Sequence, residues 1–130
     1  MVSAQGALTR EELEHEFWRI VEGGEEPVEV YYGADLDTGV VGSGFPRKGE
    51  SDDPYAQHPW NVNNFPKLDG VHSSMLKHVD EPIQGVIIPW LYVGMMFSSF
   101  CWHVEDHMFY SINYNHWGAS KQWCGHTRRV

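Results

Sequence analysis

The sequence predicts an all-β barrel or jelly roll with helices at its periphery. Short apolar and aromatic runs with strand-like composition dominate the second half of the chain, and turn residues separate them. Regular alternation of strands with helices would indicate a parallel sheet, and these runs do not alternate in that way. The 130 residues are 42% hydrophobic and 14% aromatic, which is enough to form the core of one domain or part of one.

The elements follow from local patterns. Thr9 and Glu12 have the spacing of a capping box, and apolar residues follow at helical spacing, so we predict an amphipathic helix that ends near Gly23. A second helical segment is predicted over residues 73–79. Residues 33–64, rich in glycine, proline and acidic residues, are predicted to be mostly loop. The predicted strands are residues 28–32, 86–88, 91–100, 101–105 and 108–114.

Composition excludes several classes of protein. A formal charge of -9 argues against direct binding of nucleic acid, which requires clustered lysine and arginine. Two cysteines, Cys101 and Cys124, do not make a disulfide framework, and no N-terminal apolar stretch resembles a signal peptide. No run approaches the ~18 apolar residues of a membrane helix. We therefore expect a soluble chain made in a reducing compartment.

His103 and Glu105 are the candidate metal ligands. Alternate side chains of a strand share a face, so these two could chelate one divalent metal. Imidazole and carboxylate are two of the three donors in the 2-His-1-carboxylate site that holds non-haem Fe(II). His107 would share that face and could complete a zinc site, but a strand separates residues i and i+4 by roughly 13 Å, so this alternative requires a bend. The spacing alone is also typical of an ordinary surface strand.

A second polar face follows along the chain. In an extended run, Ser111 and Asn113 lie on the face opposite to Tyr110, Ile112 and Tyr114. A hydroxyl and an amide beside a metal suit a small ligand rich in oxygen. Lys121 then supplies the cation that a carboxylate of such a ligand would require.

Several motifs in one order resemble the first part of a JmjC catalytic domain. The resemblance extends from about Glu16 to Gly125 and is carried by residues 32–35, 42–46, 60–64, 89–95, 98–107 and 110–118. The most similar subgroup comprises the demethylases that act on histone H3 at its lysine 4. The resemblance implies an incomplete double-stranded β-helix, a jelly roll of cupin-like JmjC type. It divides the chain into a helical lead-in, residues 1–27, and the N-terminal part of a truncated JmjC domain, residues 28–130.

The resemblance also implies roles for single residues. His103 and Glu105 match the first two Fe(II) ligands, and we expect the second histidine ligand from a later strand, beyond Val130. Tyr92 matches a position that faces the methylated lysine. The residues that match the 2-oxoglutarate site are Tyr32, Phe100, Ser111, Asn113, Lys121 and Trp123, with Lys121 pairing the carboxylate far from the metal. Without the resemblance, these aromatic residues would be read as core residues and the polar ones as surface residues.

The function implied is that of an Fe(II)- and 2-oxoglutarate-dependent histone lysine demethylase in the nucleus. Its partners would be the methylated histone H3 tail and chromatin complexes, without direct nucleic-acid or membrane contact. The chain departs from the family pattern where Ala119 and Ser120 precede Lys121 in place of a Glu-Pro pair, and where Cys124 stands for an expected tyrosine. The alternative is therefore a non-catalytic chromatin-associated JmjC-like protein that lacks a complete iron site.

Overall fold

A computed structural model describes residues 8–23 and 27–125. The chain divides into two compact units, unit 1 (Met1–Phe100) and unit 2 (Cys101–Val130). Within residues 8–23 and 27–100, unit 1 contains two α-helices, two strands and four short 3₁₀ helices, whereas the described part of unit 2 contains a single 3₁₀ turn.

Helix α1 spans Arg10–Val21 and begins with the predicted capping box. The Thr9 hydroxyl accepts a hydrogen bond of 3.2 Å from the Glu12 amide, and the Thr9 amide donates one of 2.7 Å to the Glu12 carboxylate. These two bonds satisfy backbone groups that the first turn leaves without intrahelical partners. The helix ends two residues before Gly23, so the prediction of this element is confirmed.

The sheet has two antiparallel strands, β1 (Tyr32–Asp37) and β2 (Trp90–Gly94). The strand predicted over residues 28–32 is therefore wrong in its bounds, because pairing with β2 starts only at Tyr32. Helix α2 (Thr38–Val41) follows β1 directly, and the Asp37 carboxylate caps it by accepting a 2.7 Å hydrogen bond from the Gly39 amide. The Thr38 hydroxyl donates to the Pro89 carbonyl at 2.6 Å and so ties the end of β1 to the residue before β2.

Short 3₁₀ helices occupy much of the segment between the strands. Their bounds are Pro54–Gln57, Phe65–Lys67, Gly70–His72 and Met75–His78. The last of these lies within the predicted helical segment 73–79, which therefore forms one tight turn rather than an α-helix. The loop-rich character predicted for residues 33–64 is confirmed only after α2, because β1 and α2 occupy its first part.

A polar residue lies at the centre of this loop segment. Asn61 is fully buried, and its side-chain amide donates to the carbonyls of Pro46 at 2.8 Å and Tyr55 at 3.0 Å. The Asn61 side-chain oxygen accepts from the Asn63 amide at 3.0 Å. Two backbone carbonyls and one backbone amide of these turns therefore obtain partners from this side chain, which explains why an asparagine is buried here.

Of the other four predicted strands, those over residues 86–88, 101–105 and 108–114 do not form, and the one over residues 91–100 is too long. Residues 85–87 form a tight turn, and the Gly85 amide donates to the Ile88 carbonyl at 2.7 Å, so residues 86–88 are not a strand. Strand β2 stops at Gly94 because the chain turns over the next four residues, where Phe97 has a φ of 70°. Within unit 2, residues 101–125 contain no strand. An extended segment becomes a strand only when a neighbour pairs with its backbone groups, and composition does not supply that neighbour.

Of the jelly roll that the resemblance implies, the described residues contain one two-stranded antiparallel sheet and few helices. No helix in residues 8–23 and 27–125 has both the length and the apolar composition needed to cross a bilayer.

Replacing the capping residue tests the start of α1. We expect Thr9→Ala to lower the stability of the helix by about 1 kcal/mol, since the Glu12 amide loses its acceptor. Thr9→Ser keeps the hydroxyl and is the matched control. Helicity measured by circular dichroism across a thermal scan compares the three chains, and equal curves for the alanine and serine variants would contradict the capping assignment.

Replacing Asn61 tests the polar centre of unit 1. Asn61→Ala deprives two backbone carbonyls of a buried donor, and we expect a loss of about 2 kcal/mol in the free energy of unfolding. The control is Asn115→Ala, because Asn115 is exposed and makes one 3.2 Å bond to the Ala119 carbonyl. Urea unfolding of both variants provides the comparison. A loss at Asn61 no larger than that at Asn115 would show that the buried amide is not needed.

Candidate active site

His103 and Glu105 lie together in unit 2. His103 Nε2 lies 3.4 Å from Glu105 Oε1. The His103 side chain is 58% exposed and the Glu105 side chain 39%. The strand predicted for these residues does not form, but the chain is extended at Glu105, with φ of -71° and ψ of 153°. Extended backbone places residues i and i+2 on one side, so the two side chains meet without a sheet.

The other nitrogen of His103 contacts the backbone. His103 Nδ1 lies 2.8 Å from the Cys101 carbonyl oxygen, which can only accept a hydrogen bond. This contact favours the tautomer with the proton on Nδ1, which leaves the lone pair on Nε2, the atom that faces Glu105. A nitrogen lone pair and a carboxylate on the same side are donors that suit Fe(II) or zinc. The geometry is therefore compatible with two ligands to one metal.

A third donor is not assembled in the described part of the chain. No group of three histidine, cysteine, aspartate or glutamate side chains that could hold a metal is found within residues 8–23 and 27–125. His107 lies in a turn with a left-handed φ of 54°, and its ring packs 5.7 Å from that of Phe109. The alternative three-donor zinc site with His107 is therefore not formed.

The predicted co-substrate residues of unit 2 lie in a segment without helix or strand. Ser111, Asn113, Lys121 and Trp123 are all exposed. Trp123 packs against Trp102 with ring centroids 5.2 Å apart, and the Trp102 indole donates a 2.6 Å hydrogen bond to the Cys124 carbonyl. These contacts bring Trp123 next to the residue that precedes His103.

The predicted residues of unit 1 are Tyr32, Tyr92 and Phe100. Tyr32 and Tyr92 lie on neighbouring strands with ring centroids 6.1 Å apart, and Phe100 is the last residue of the unit. The Tyr92 hydroxyl donates a 2.7 Å hydrogen bond to Asp35. Burial, and to a smaller extent the negative charge of Asp35, raise the pKa of the Tyr32 hydroxyl above its usual value.

Asp35 is not among the site residues predicted from the sequence, although it lies within one of the motifs that carry the resemblance. One local signal was available. Aspartate tolerates left-handed backbone, so Asp35 after Gly33-Ala34 is compatible with a turn or a bulge, but this segment was predicted to be loop. The contact with Tyr92 was not predictable, because it depends on the register between two distant strands.

Comparison with known proteins identifies the class. Residues 90–128 match the family model described as "JmjC domain, hydroxylase". This segment includes the paired His103 and Glu105 as well as the stretch from Ser111 to Trp123. The resemblance predicted from the sequence motifs is confirmed.

Similar curated proteins then identify the relatives. Over 121 residues, 88% of this chain, it is 57% identical to "Putative lysine-specific demethylase JMJ16" of Arabidopsis thaliana. It is 56% identical to "Lysine-specific demethylase JMJ17" of the same plant over 92% of the chain, and 50% identical to human "Lysine-specific demethylase 5D" over 87%. The chain is thus a relative of the JmjC-domain lysine-specific demethylases and carries the N-terminal part of their JmjC domain. It spans 10% of the length of the two plant proteins and 8% of the human one.

The raised pKa of Tyr32 predicts a pH dependence. Tyr32 keeps its proton to higher pH in the folded chain than in the unfolded chain. Above about pH 10, the usual pKa of tyrosine, ionisation therefore favours the unfolded state, and below that pH it has no effect on stability. Stability is therefore expected to fall as the pH rises from there through the folded-state pKa. Asp35→Asn removes one of the two causes and should lower the pKa of Tyr32, while burial keeps it above the usual value.

The measurement is the tyrosinate absorbance of each chain minus that of the same chain carrying Tyr32→Phe. Asp53→Asn is the control, since Asp53 caps a different turn of unit 1 by accepting from the Tyr55 amide. Identical Tyr32 titrations with and without Asp35 would contradict the assigned cause.

Proposed function

We propose that the chain is part of an Fe(II)- and 2-oxoglutarate-dependent histone lysine demethylase. The observation that carries the proposal is the 3.4 Å approach of His103 Nε2 to Glu105 Oε1 within a segment that matches the JmjC domain. The names of the relatives, all lysine-specific demethylases, support it. The domain boundaries proposed are a helical lead-in over residues 1–27 and JmjC sequence over residues 28–130, within a larger jelly roll.

Two side chains would hold the metal. His103 would bind through Nε2, because the Cys101 carbonyl holds the ring by its Nδ1 side, and Glu105 would bind through its carboxylate. Both donors fit Fe(II), and their exposure leaves room for further ligands. When bound, the metal together with 2-oxoglutarate and O₂ supplies the oxidation of an N-methyl group, which is then lost as formaldehyde.

The remaining predicted residues would bind and orient the reactants. Lys121 would pair its ammonium with the carboxylate of 2-oxoglutarate that lies far from the metal, and Ser111 and Asn113 would donate hydrogen bonds to the same co-substrate. Tyr32 would add a further hydroxyl to that site. Phe100 and Trp123 would line it and exclude water, which strengthens every charged contact inside.

The names of the relatives support a methylated lysine as the substrate. We propose a methylated lysine of a histone tail as substrate, with Tyr92 facing the methylated side chain, histone H3 lysine 4 as the specific site, and the nucleus as location. The net charge of -9 is compatible with a basic peptide, although such a charge is common on solvated surfaces. Chromatin complexes would be the partners.

A second candidate is a non-catalytic chromatin-associated JmjC-like protein. The observation that favours it is the lack of a third metal donor within residues 8–23 and 27–125. Two protein ligands bind a metal more weakly than three and leave its coordination under-determined. The two candidates differ in whether the chain binds Fe(II) with its co-substrate.

An anaerobic Fe(II) titration with 2-oxoglutarate distinguishes the two candidates. We expect a saturable charge-transfer absorption, and we expect His103→Ala to weaken metal binding by at least about tenfold, since loss of a ligand should cost no less than loss of a group that only orients one. The control is His116→Ala, which removes a histidine of the same unit that packs 5.8 Å from the Tyr114 ring. Loss of the signal in both variants would show that it does not arise from the proposed site.

The absence of any signal from a chain shown to be folded by circular dichroism would support the non-catalytic candidate. A signal that saturates and is lost only with His103 would justify demethylation assays on methylated histone H3 peptides, with formaldehyde as the product to be measured.

A further inference from the structure

The ladder between β1 and β2 is interrupted at one place. Gly33 pairs with Val93 and Leu36 with Leu91, so two residues of β1 lie opposite a single residue of β2. Such an insertion is a β-bulge, which bends a strand and redirects one of its side chains.

Asp35 is the redirected residue. It has a φ of 53°, in the left-handed region that residues other than glycine adopt infrequently. The single β2 residue opposite the bulge is Tyr92, and the Asp35 carboxylate accepts a 2.7 Å hydrogen bond from its hydroxyl. An unusual backbone conformation and a charged hydrogen bond therefore act on the same tyrosine.

This hydrogen bond fixes the orientation of Tyr92. The hydroxyl proton points at Asp35, so the remaining lone pairs of the phenolic oxygen point elsewhere. Tyr92 is 41% exposed, so part of this residue is accessible from solvent. The Tyr32 ring is tilted by 31° against that of Tyr92, which limits the positions that Tyr92 can take.

We infer that Asp35 positions Tyr92 and favours a cationic side chain, such as an N-methylated lysine, over a neutral one of the same shape. It holds the Tyr92 hydroxyl as a donor, and it places a negative charge beside the ring that would face the ammonium group. This inference rests on the substrate proposed above for Tyr92. Attraction between a partly solvated carboxylate and a cation is modest, and it depends on the charge of the ligand rather than on its shape.

Three peptides separate charge from shape. They carry trimethyllysine, unmodified lysine, or a neutral analogue with a tert-butyl group in place of the trimethylammonium group. Dissociation constants are measured by calorimetry for the full chain and for Asp35→Asn. Asparagine tolerates left-handed backbone and still accepts a hydrogen bond from Tyr92, so this variant removes the charge while keeping the bulge.

The expected result is a two- to fivefold weaker binding of the trimethyllysine peptide by Asp35→Asn, an estimate of about the size of an exposed cation interaction, with no change for the neutral analogue. The positioning role is tested with Asp35→Ala and Tyr92→Phe. If the two residues act through their hydrogen bond, their effects should not add. The double variant should then bind the trimethyllysine peptide no more weakly than whichever single variant has the lower affinity for it.

Three outcomes would overturn the inference. Equal binding of trimethyllysine by the wild-type chain and Asp35→Asn would remove Asp35 from the site while leaving the proposed substrate intact. An equal loss for the charged and neutral peptides would mean that Asp35 acts only through the fold. Failure of the wild-type chain to bind trimethyllysine more tightly than unmodified lysine would overturn the proposed substrate, and the inference with it.

Discussion

The antiparallel pairing of β1 with β2 is the constraint on which the structure of unit 1 depends. The hydrogen bond from Thr38 to Pro89 joins residues 51 positions apart, so the pairing closes a long loop at a cost in chain entropy. A sheet of two strands is marginal by itself in water, and the loop must contribute to holding it. Arg47 does so by donating a 2.8 Å hydrogen bond to the carbonyl of Thr38, the residue that directly follows β1. The strands and the loop between them therefore stabilise each other.

The interior of the loop segment is held mainly by polar contacts. Asn61 and Thr38 are the largest fully buried side chains of the described residues, and within that part of the chain no buried side-chain nitrogen or oxygen lacks a hydrogen-bond partner. A buried amide stabilises a fold only while all its bonds are made, because an unpaired polar group costs more than a hydrogen bond contributes. This arrangement fixes the path of the loop more strictly than apolar packing would. It also makes the segment sensitive to changes that preserve volume but remove a donor.

Sequence analysis predicted the features that depend on neighbours along the chain. The capping box at Thr9 needs four consecutive residues, and the approach of His103 to Glu105 needs only extended backbone between them. Strand pairing depends on distant residues, so the bounds of β1, the end of β2 and the bulge at Asp35 could not be predicted from composition. The strands predicted in unit 2 were wrong for the same reason. Their aromatic composition suits a sheet, but the described residues of that unit supply no partner strand.

His103 and Glu105 show how much of a proposed metal site a short local segment can prepare. The Cys101 carbonyl orients the His103 ring, and the extended backbone places Glu105 beside its other nitrogen, so two donors and one orienting contact come from five consecutive residues. A third donor from a distant part of a chain must instead be brought by the fold, and its position depends on strand pairing. Local sequence therefore brings the two proposed donors together and favours one tautomer of His103, whereas tertiary structure would decide whether a metal is held tightly. The step from a two-donor pair to a functional centre is thus a property of the complete domain, not of the motif.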